Sequence, residues 1–376
     1  LIPLYYRLNL TSIYTYLKTR FGVHSYRTGA WFFLLSRTIG AAFRLYLVAG
    51  VLQLTMFDLW GIPFWVTVLV TILLIWLYTY RGGIKTIIWT DTLQTLFMLI
   101  AVGLTVMIIG QELEFSASLL ISTVRESDYS QIFFFDDIKS GSYFWKQFFT
   151  GAFISIVMTG LDQDMMQKNL SCRNIGDAQK NMFSFSIVLV AVNLVFLSLG
   201  ALLYIFAESK GIEIPVKGDD LYPILATQGH LPLIVGVVFI LGLIAAAYSS
   251  ADSALTALTT SVCVDILDIE EREAEDQERL RKKMHVVMSL VLFATILVFR
   301  VINDDSVISS LFKFAGFTYG PLLGLYAFGL ISKRPIKDRF APIVCLLSPL
   351  ICALVYCFPE LIGGYQFKFE ILMLNG

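Results

Sequence analysis

Charged residues are scarce in this sequence. Asp, Glu, Lys and Arg make up 15% of its 376 residues, and the formal net charge is −1. An ordinary soluble domain carries roughly 25% charged residues. Zinc-ligand spacings, phosphate-binding loops and nucleic-acid-binding signatures are missing as well. The sequence therefore gives no support for a soluble metalloenzyme, a nucleotide-binding enzyme or a protein with a nucleic acid partner.

Cysteine and histidine are also too scattered to define a site. The cysteines fall inside or at the ends of apolar segments, so a disulfide framework is not expected. The histidines fall in loops or at segment ends, so a proton relay built on histidine has no support. These residues are Cys172, Cys263, Cys345, Cys352, Cys357, His24, His230 and His285.

Long apolar runs are abundant instead. Hydrophobic residues make up 57% of the chain, and its mean hydropathy is +0.73. A helix of about 20 apolar residues spans the hydrocarbon core of a bilayer, whereas a barrel would show short alternating strands. We therefore predict an all-α, multi-pass protein of the cell membrane. Nine membrane-spanning segments are predicted, at about 30–56, 62–80, 86–110, 143–167, 181–207, 232–266, 285–302, 306–331 and 341–358.

Lys and Arg are concentrated in alternate loops, which predicts the orientation of the chain in the membrane. The basic loops include residues 7–27, 168–180, 272–283 and 333–339, which we place in the cytoplasm. The last residues of the chain are then outside. The run of mixed charges at 268–283 is interpreted as a solvated helical linker.

The sixth predicted segment carries a polar face. Its stretch AAAYSSADSALTALTTSVCVDI, residues 245–266, repeats oxygen-bearing side chains at spacings of three and four, so they share one side of a helix. Hard cations such as Na⁺ prefer oxygen ligands, so this face predicts a sodium site. The alternative is that small hydroxyl residues only allow close helix packing. The polar residues are Ser249, Asp252, Ser253, Thr256, Thr259 and Thr260.

Other ionisable side chains fall within predicted segments, where such groups are costly and usually functional. Asp91, at the start of the third segment, is either a functional residue or an interfacial one balanced by Lys85. Lys313 either faces the protein interior or snorkels to the membrane surface. Arg37 and Arg44 are seven residues apart and share a helix face. The alternatives for them are pairing with an acidic side chain, lining a water-filled path and packing against loop carbonyls, and no role is assigned.

Five motifs, taken in order, resemble those of the sodium:solute symporter family, which includes sodium/glucose, sodium/proline and sodium/sialic acid transporters. The resemblance extends over essentially the whole chain at the spacing expected of the family. The motifs are TSIYTYLKTRFG (11–22), YTYRGGIKTIIWTDTLQ (78–94), DQDMMQKNLSCRN (162–174), SSADSALTALTTSVCVDI (249–266) and YGPLLGLYAFGLISKR (319–334).

The resemblance implies a leucine-transporter-like architecture, in which two inverted five-helix repeats hold the binding sites near the membrane midplane. Residues 1–376 would then form a single transporter domain that contains core helices three to eleven. The first core helix and most of the second are absent on this interpretation. Because the chain also lacks an initiator Met and a signal peptide, we expect further sequence upstream.

The resemblance also implies sodium ligands. Ala246, through its carbonyl, and the hydroxyls of Ser249 and Ser250 match one half of the principal sodium site. Asp91, Asp252 and Ser253, together with Ser249, match a second sodium site that some members have. Position 252 is commonly neutral in the family. The carboxylate there either strengthens cation binding or takes up a proton, so the number of ions per cycle is open.

Candidate substrate contacts follow from the sugar-transporting members. Ser155, Met158 and Lys313 match positions at which substrate and inner-gate contacts lie. Lys313 replaces a neutral amide, which indicates an anionic group on the solute. Met158 replaces a gating tyrosine, which argues against stacking of a sugar at that position.

We therefore predict a sodium-coupled secondary active symporter that imports a small organic solute, with an anion as one candidate class. Sodium ions, the solute and the lipid bilayer are the predicted partners. One alternative is a transporter-like sensor domain of a signalling protein. Another is a membrane enzyme with Asp162 and Asp164 as acid and base, which is disfavoured because both lie at a cytoplasmic helix end beside Lys168.

Overall fold

The computed structural model describes residues 1–8, 12–79, 84–269, 273–302, 306–363, 365 and 367–376, and their side chains except those of 77–79, 84–90, 164, 167 and 168. Three side chains that entered the sequence predictions, those of Lys85, Asp164 and Lys168, therefore lie outside the described residues.

The described residues are 82% helical and contain no strand, which confirms the all-α prediction. Wider π turns prolong three of the helices, at Gln53–Phe57, Ile156–Gly160 and Val262–Ile266. The α-helices, numbered α1 to α15 in chain order, are Ile2–Leu8, Thr15–Arg20, Val23–Leu52, Phe64–Thr79, Ile84–Glu112, Ala117–Glu126, Phe144–Ser155, Gln163–Leu170, Ile175–Ser209, Leu221–Thr227, Leu233–Ser261, Ala274–Ile302, Val307–Ile331, Ala341–Cys357 and Ile371–Asn375.

Seven helical segments of the described chain are long and apolar enough to cross a membrane, and Phe64–Trp76 is a shorter apolar helix. Within the described residues, each predicted segment falls mostly on helical residues, but α4 is short and the fourth segment is divided between α7 and α8. The count of nine spans therefore remains a prediction. The helix α12 begins at Ala274, so most of the mixed-charge run is indeed helical, with exposed i, i+4 ion pairs such as Lys282–Glu278 at 2.7 Å.

The fourth predicted segment is not one continuous helix. The helix α7 ends at Ser155 and a π turn follows, after which Leu161 and Asp162 leave the helical path before α8 begins at Gln163. Asp162 explains the new start, because its Oδ1 accepts a hydrogen bond from the backbone N–H of Met165 at 3.2 Å, as a helix N-cap does.

Tyrosine hydroxyls satisfy the carbonyl groups that this break releases. Tyr5 donates to the carbonyl of Gly160 at 2.9 Å, and Tyr14 donates to the carbonyl of Leu161 at 3.0 Å. Buried backbone groups need such partners in a membrane, where water does not reach them. The helix break is therefore stabilised by tertiary hydrogen bonds from the N-terminal segment.

Small residues bring α5 and α11 together. A Cβ added to Gly242 of α11 would stand 3.4 Å from the backbone nitrogen of Met98 on α5, which is a close approach of two helix backbones. Ala247 and Ala251 of α11 are also buried. Small side chains favour such packing in membranes, where the hydrophobic effect does not drive helices together. As a result, Asp91 of α5 lies against the polar face of α11.

The helix α3 is buried along most of its length between α11, α12 and α13. Phe43 of α3 stacks on Phe299 of α12 with ring centroids 3.9 Å apart. The same helix carries the buried polar residues Ser36 and Arg37, so it presents polar groups to the protein interior rather than to lipid.

Candidate substrate and sodium site

A cavity of about 260 Å³ lies among α3, α11, α13 and the break between α7 and α8. Its wall includes two arginines, one aspartate and four serines, which gives an excess of one formal positive charge. Polar and charged side chains at membrane depth are expensive and usually serve a binding site or a water-filled path. This cavity is therefore the candidate functional site.

The helix α11 contributes Ser249, Ser250 and Ser253 to the cavity wall. The hydroxyl of Ser249 donates a hydrogen bond to Oδ1 of Asp91 on α5. The structure thus brings together residues of the two sodium sites that the resemblance implies. Hydroxyl oxygens beside one carboxylate suit a monovalent cation that must also leave, because a multivalent ion would demand more charge.

Two further predicted sodium ligands lie elsewhere on α11. Asp252 is 3% exposed and its Oδ1 accepts a hydrogen bond from Thr256 Oγ1 at 3.4 Å, but it does not line the cavity. Ala246 lines a second, apolar cavity of about 240 Å³ between α5, α9 and α11. The sodium-ligand roles of Ala246, Ser249, Ser250, Asp91, Asp252 and Ser253 remain predictions.

Clusters of stronger metal ligands are not found in the part of the chain that the structure describes. No group of three or more His, Cys, Asp or Glu side chains is placed there to hold a metal ion. Oxygen ligands from hydroxyls, as on α11, are a different type of site and belong to hard cations.

Of the three predicted substrate contacts, Met158 lines the cavity. Ser155 is exposed and donates a hydrogen bond to the carbonyl of Gly151 at 2.8 Å. The Lys313 Nζ lies over the ring of Tyr356, 4.8 Å from its centroid. Neither Ser155 nor Lys313 is part of the cavity wall, so the structure does not bring these three residues together.

A buried charge network at the cavity gives Arg37 an acidic partner, which was one of the alternatives left open by the sequence. The Arg37 Nη1 lies 3.6 Å from Asp162 Oδ2, with side chains that are 9% and 2% exposed. The hydroxyl of Tyr319 on α13 donates to the same Asp162 oxygen at 3.2 Å. The available signal was a pair of opposite charges in two predicted spans, but sequence alone does not show that the spans meet.

Arg44 is the second cation that sequence analysis left unassigned. It lines the cavity and its side chain is exposed, although its neighbours Phe43 and Leu45 are buried. Arg37 of the same wall is buried beside Asp162, whereas Arg44 is the exposed arginine of the cavity.

Comparisons with known proteins identify the family to which the chain is similar. The family model of the sodium:solute symporter family matches residues 1–335. The sodium/sialic acid symporter SiaT of Proteus mirabilis is 25% identical over 350 residues, which cover 89% of this chain and 67% of that protein. Sodium-coupled monocarboxylate transporter 2 of Danio rerio is 25% identical over 345 residues, which cover 88% of this chain and 53% of that protein.

A solved structure shares the fold. It shows a Na⁺-coupled sialic acid symporter in a substrate-bound, outward-open state, and it superposes with a TM-score of 0.81 at 21% sequence identity. The match covers 100% of this chain and 76% of the other. The chain itself spans about two thirds of the length of the sialic acid symporters and about half that of the monocarboxylate transporter.

These matches decide between the classes of function considered for the sequence. The family and its relatives are multi-pass, sodium-dependent solute transporters. At the level of the family, this confirms three predictions: a membrane transporter, sodium as the coupling ion and no enzymatic activity. The sensor alternative receives no support. The chain belongs to the sodium:solute symporter family.

Proposed function

We propose that the protein is a symporter that uses the sodium gradient to import a small solute carrying a carboxylate group. The observation that carries this proposal is the cavity whose wall contains Arg37 and Arg44 together with hydroxyl residues of α11. Sialic acid and monocarboxylates, the solutes in the names of the two relatives, both carry a carboxylate.

Arg44 is the residue that we assign to the solute anion. A guanidinium group binds a carboxylate through two parallel N–H···O contacts, which gives both affinity and orientation. Arg44 lines the cavity with an exposed side chain, whereas Arg37 is buried beside Asp162. A carboxylate solute matches the excess of one formal positive charge on the wall, which a neutral solute does not.

The sodium ions bind on the α11 side in this proposal. Ala246, Ser249 and Ser250 contribute to the principal site, and Asp91, Asp252 and Ser253 to a second one. The contact between Ser249 and Asp91 supports this assignment, because it places a carboxylate beside the hydroxyls of the cavity wall.

A second sodium site has a physical consequence for an anionic solute. One Na⁺ moving with one monoanion transfers no net charge, so the membrane potential contributes nothing to its accumulation. A second Na⁺ restores a net positive charge, which is worth about 2.3 kcal/mol per 100 mV. The carboxylates near α11 therefore matter for how strongly a carboxylate solute is concentrated.

We also propose that the chain folds as one transporter domain of the leucine-transporter-like type, with nine spans. The break between α7 and α8 supports this, because discontinuous helices form the binding sites of that architecture. Met158 is the predicted substrate contact that the cavity supports. Ser155 and Lys313 would contact the solute or the inner gate in another state of the cycle.

Uptake into proteoliposomes tests the proposal. The protein is reconstituted and given an inward sodium gradient, or the same gradient of choline, with radiolabelled sialic acid, lactate or glucose outside. We expect sodium-dependent accumulation of a carboxylate solute and none of glucose. Accumulation of glucose alone would contradict the anion assignment, and identical uptake with sodium and choline for every solute would contradict the coupling.

Electrogenicity is measured in the same vesicles. An inside-negative potential, set with potassium and valinomycin, should increase the initial rate if two sodium ions accompany a monoanion. An initial uptake rate that does not change with the membrane potential would indicate one sodium ion per carboxylate. The second sodium site would then be removed from the proposal.

A further inference from the structure

One carboxylate joins three parts of the cavity wall. Asp162, at the break between α7 and α8, lies 3.6 Å from Arg37 of α3 and accepts a hydrogen bond from Tyr319 of α13 at 3.2 Å. Its other oxygen caps α8 at the backbone of Met165. Asp162 is 2% exposed and Tyr319 is 4% exposed, so the network is sealed from bulk water.

The break lies toward the predicted cytoplasmic end of the cavity, because α8 leads directly into the basic loop 168–180. The N-terminal segment is bound to the same break, through Tyr5 on Gly160 and Tyr14 on Leu161. A path from the cavity to the cytoplasm would have to separate the break from its neighbours. The network around Asp162 is therefore placed where an inner gate has to open.

Separation of the two charges is costly unless each finds another partner. Removing one member of a buried ion pair is strongly unfavourable, because the remaining charge is left in a low-dielectric medium. The carboxylate of a bound solute is such a partner for Arg37, since a guanidinium binds a carboxylate through its N–H donors. Asp162 keeps the hydrogen bond from the backbone N–H of Met165. Without a bound solute, Asp162 is the carboxylate that the structure places beside Arg37.

The two arginines then act in sequence. They are seven residues apart on α3, which corresponds to about 10 Å along a helix axis, and α3 begins at its predicted cytoplasmic end with Val23. Arg44 therefore lies nearer the outside and Arg37 nearer the cytoplasm. A solute that enters from outside meets Arg44 first and Arg37 afterwards.

We propose that the Arg37–Asp162 ion pair, with Tyr319, holds the cytoplasmic side of the cavity closed, and that the solute carboxylate releases it by taking Asp162's place at Arg37. Asp162 is thus a positioning residue that makes inward opening depend on the solute. The proposal rests on the proposed carboxylate symport, which it extends. It predicts that the pair suppresses sodium leakage when no solute is bound.

Sodium leakage can be measured without knowing the solute. The parent protein and the variants Asp162→Asn, Arg37→Gln and Tyr319→Phe are reconstituted, and ²²Na⁺ influx is followed in the absence of any organic solute. We expect Asp162→Asn and Arg37→Gln to raise this influx about tenfold, as for the loss of one charge-assisted contact of the closed state. Tyr319→Phe removes a hydrogen bond to the same carboxylate and should also raise the influx about tenfold.

An exposed ion pair of α3 provides the matched control. Arg27 and Asp268 lie 3.2 Å apart with side chains that are 53% and 49% exposed. The variants Arg27→Gln and Asp268→Asn make the same chemical changes outside the cavity, and their ²²Na⁺ influx should equal that of the parent. If ²²Na⁺ influx increased equally in these control variants, the leakage would not be specific to the Arg37–Asp162 pair, and the proposal would be overturned.

A second readout follows the gate itself. In a cysteine-free background, Met165→Cys places a thiol on the cavity wall, and a membrane-impermeant maleimide is added to inside-out vesicles in sodium buffer. Labelling should be slow with Asp162 present and about tenfold faster with Asp162→Asn. If the Asp162 variant does not fold, Arg37→Gln and Tyr319→Phe should show the same order of effects.

The outcomes separate this proposal from the proposed function. Sodium-driven uptake by the parent, with unchanged ²²Na⁺ leakage and unchanged labelling in all three variants, would refute the gate and leave the symport intact. A parent without sodium-driven uptake of any carboxylate would refute the symport and, with it, solute release of the gate.

Discussion

Arg44 and Lys313 compete for the role of anchor of a solute anion, and a pair of substitutions separates them. The family resemblance favours Lys313. The structure places Arg44 on the cavity wall and Lys313 over the ring of Tyr356. We expect Arg44→Gln, and not Lys313→Gln, to weaken the transport of a carboxylate solute.

The magnitude follows from the contact that is lost. A hydrogen bond to a charged group contributes about 1.5–3 kcal/mol, and the lower half of this range applies because the Arg44 side chain is exposed in the cavity. A loss of about 1.5–2 kcal/mol corresponds to a tenfold to thirtyfold increase in the apparent dissociation constant. Lys313→Gln removes a cation–π contact with Tyr356, which affects stability by about 0.5–2 kcal/mol but does not reach the solute directly.

The assay is the initial rate of sodium-driven uptake as a function of solute concentration at saturating sodium. We expect KM to rise tenfold to thirtyfold for Arg44→Gln and less than about threefold for Lys313→Gln. Arg27→Gln, at the exposed end of α3, controls for the loss of an arginine from this helix. A tenfold rise for Lys313→Gln, with a normal KM for Arg44→Gln, would refute the reasoning and restore the assignment from resemblance.

Three further predictions concern the sodium sites and an outer loop. Ser249→Ala or Ser250→Ala should raise the sodium concentration for half-maximal uptake about fivefold, because one oxygen ligand worth about 1 kcal/mol is lost. Unchanged sodium dependence would reject the ligand role. Asp252→Asn should alter the ratio of transported sodium to solute or the pH dependence of uptake, both measured with ²²Na⁺ and labelled solute. If the variant has the same ratio and the same pH dependence as the parent, Asp252 is a packing residue. Burial, with a smaller contribution from neighbouring Asp219, raises the pKa of Asp220 above its ordinary value of 3.8. The ionised carboxylate is therefore less favourable in the folded protein than in the unfolded chain, so Asp220→Asn should raise Tm at pH 7. This gain in Tm should vanish as the pH falls toward 3.8, where the carboxyl group is protonated. A gain in Tm that is independent of pH would contradict the electrostatic cause.

The helices and the polar face of α11 could be predicted because both rest on local patterns. Apolar length predicts a spanning helix, and a spacing of three and four places Ser249, Asp252 and Ser253 on one side of it. Of these, Asp252 does not line the cavity. The structure confirms that these serines share a cavity wall. The proximity of Asp91 to Ser249 came from family resemblance, since nothing in the sequence itself relates two positions that far apart.

The break at Leu161 and Asp162 could not be read from apolar length, because one glycine and one aspartate hardly change the hydropathy of the segment. What ends the helix there is tertiary: Tyr5 and Tyr14 provide donors for the carbonyls that unwinding releases. The partners of Arg37 were hidden for the same reason. Its charge was visible in the sequence, but the carboxylate beside it belongs to the break between α7 and α8, far along the chain.

The charges of the cavity also constrain the order of binding. The wall carries an excess of one positive charge, which opposes the entry of Na⁺ unless Asp91 or a solute carboxylate compensates it. A carboxylate bound at Arg44 cancels this excess and so favours sodium binding on α11. By thermodynamic reciprocity, sodium must favour the solute by the same factor. Coupling between the two ligands therefore follows from the charges of a shared cavity, before any movement of helices is considered.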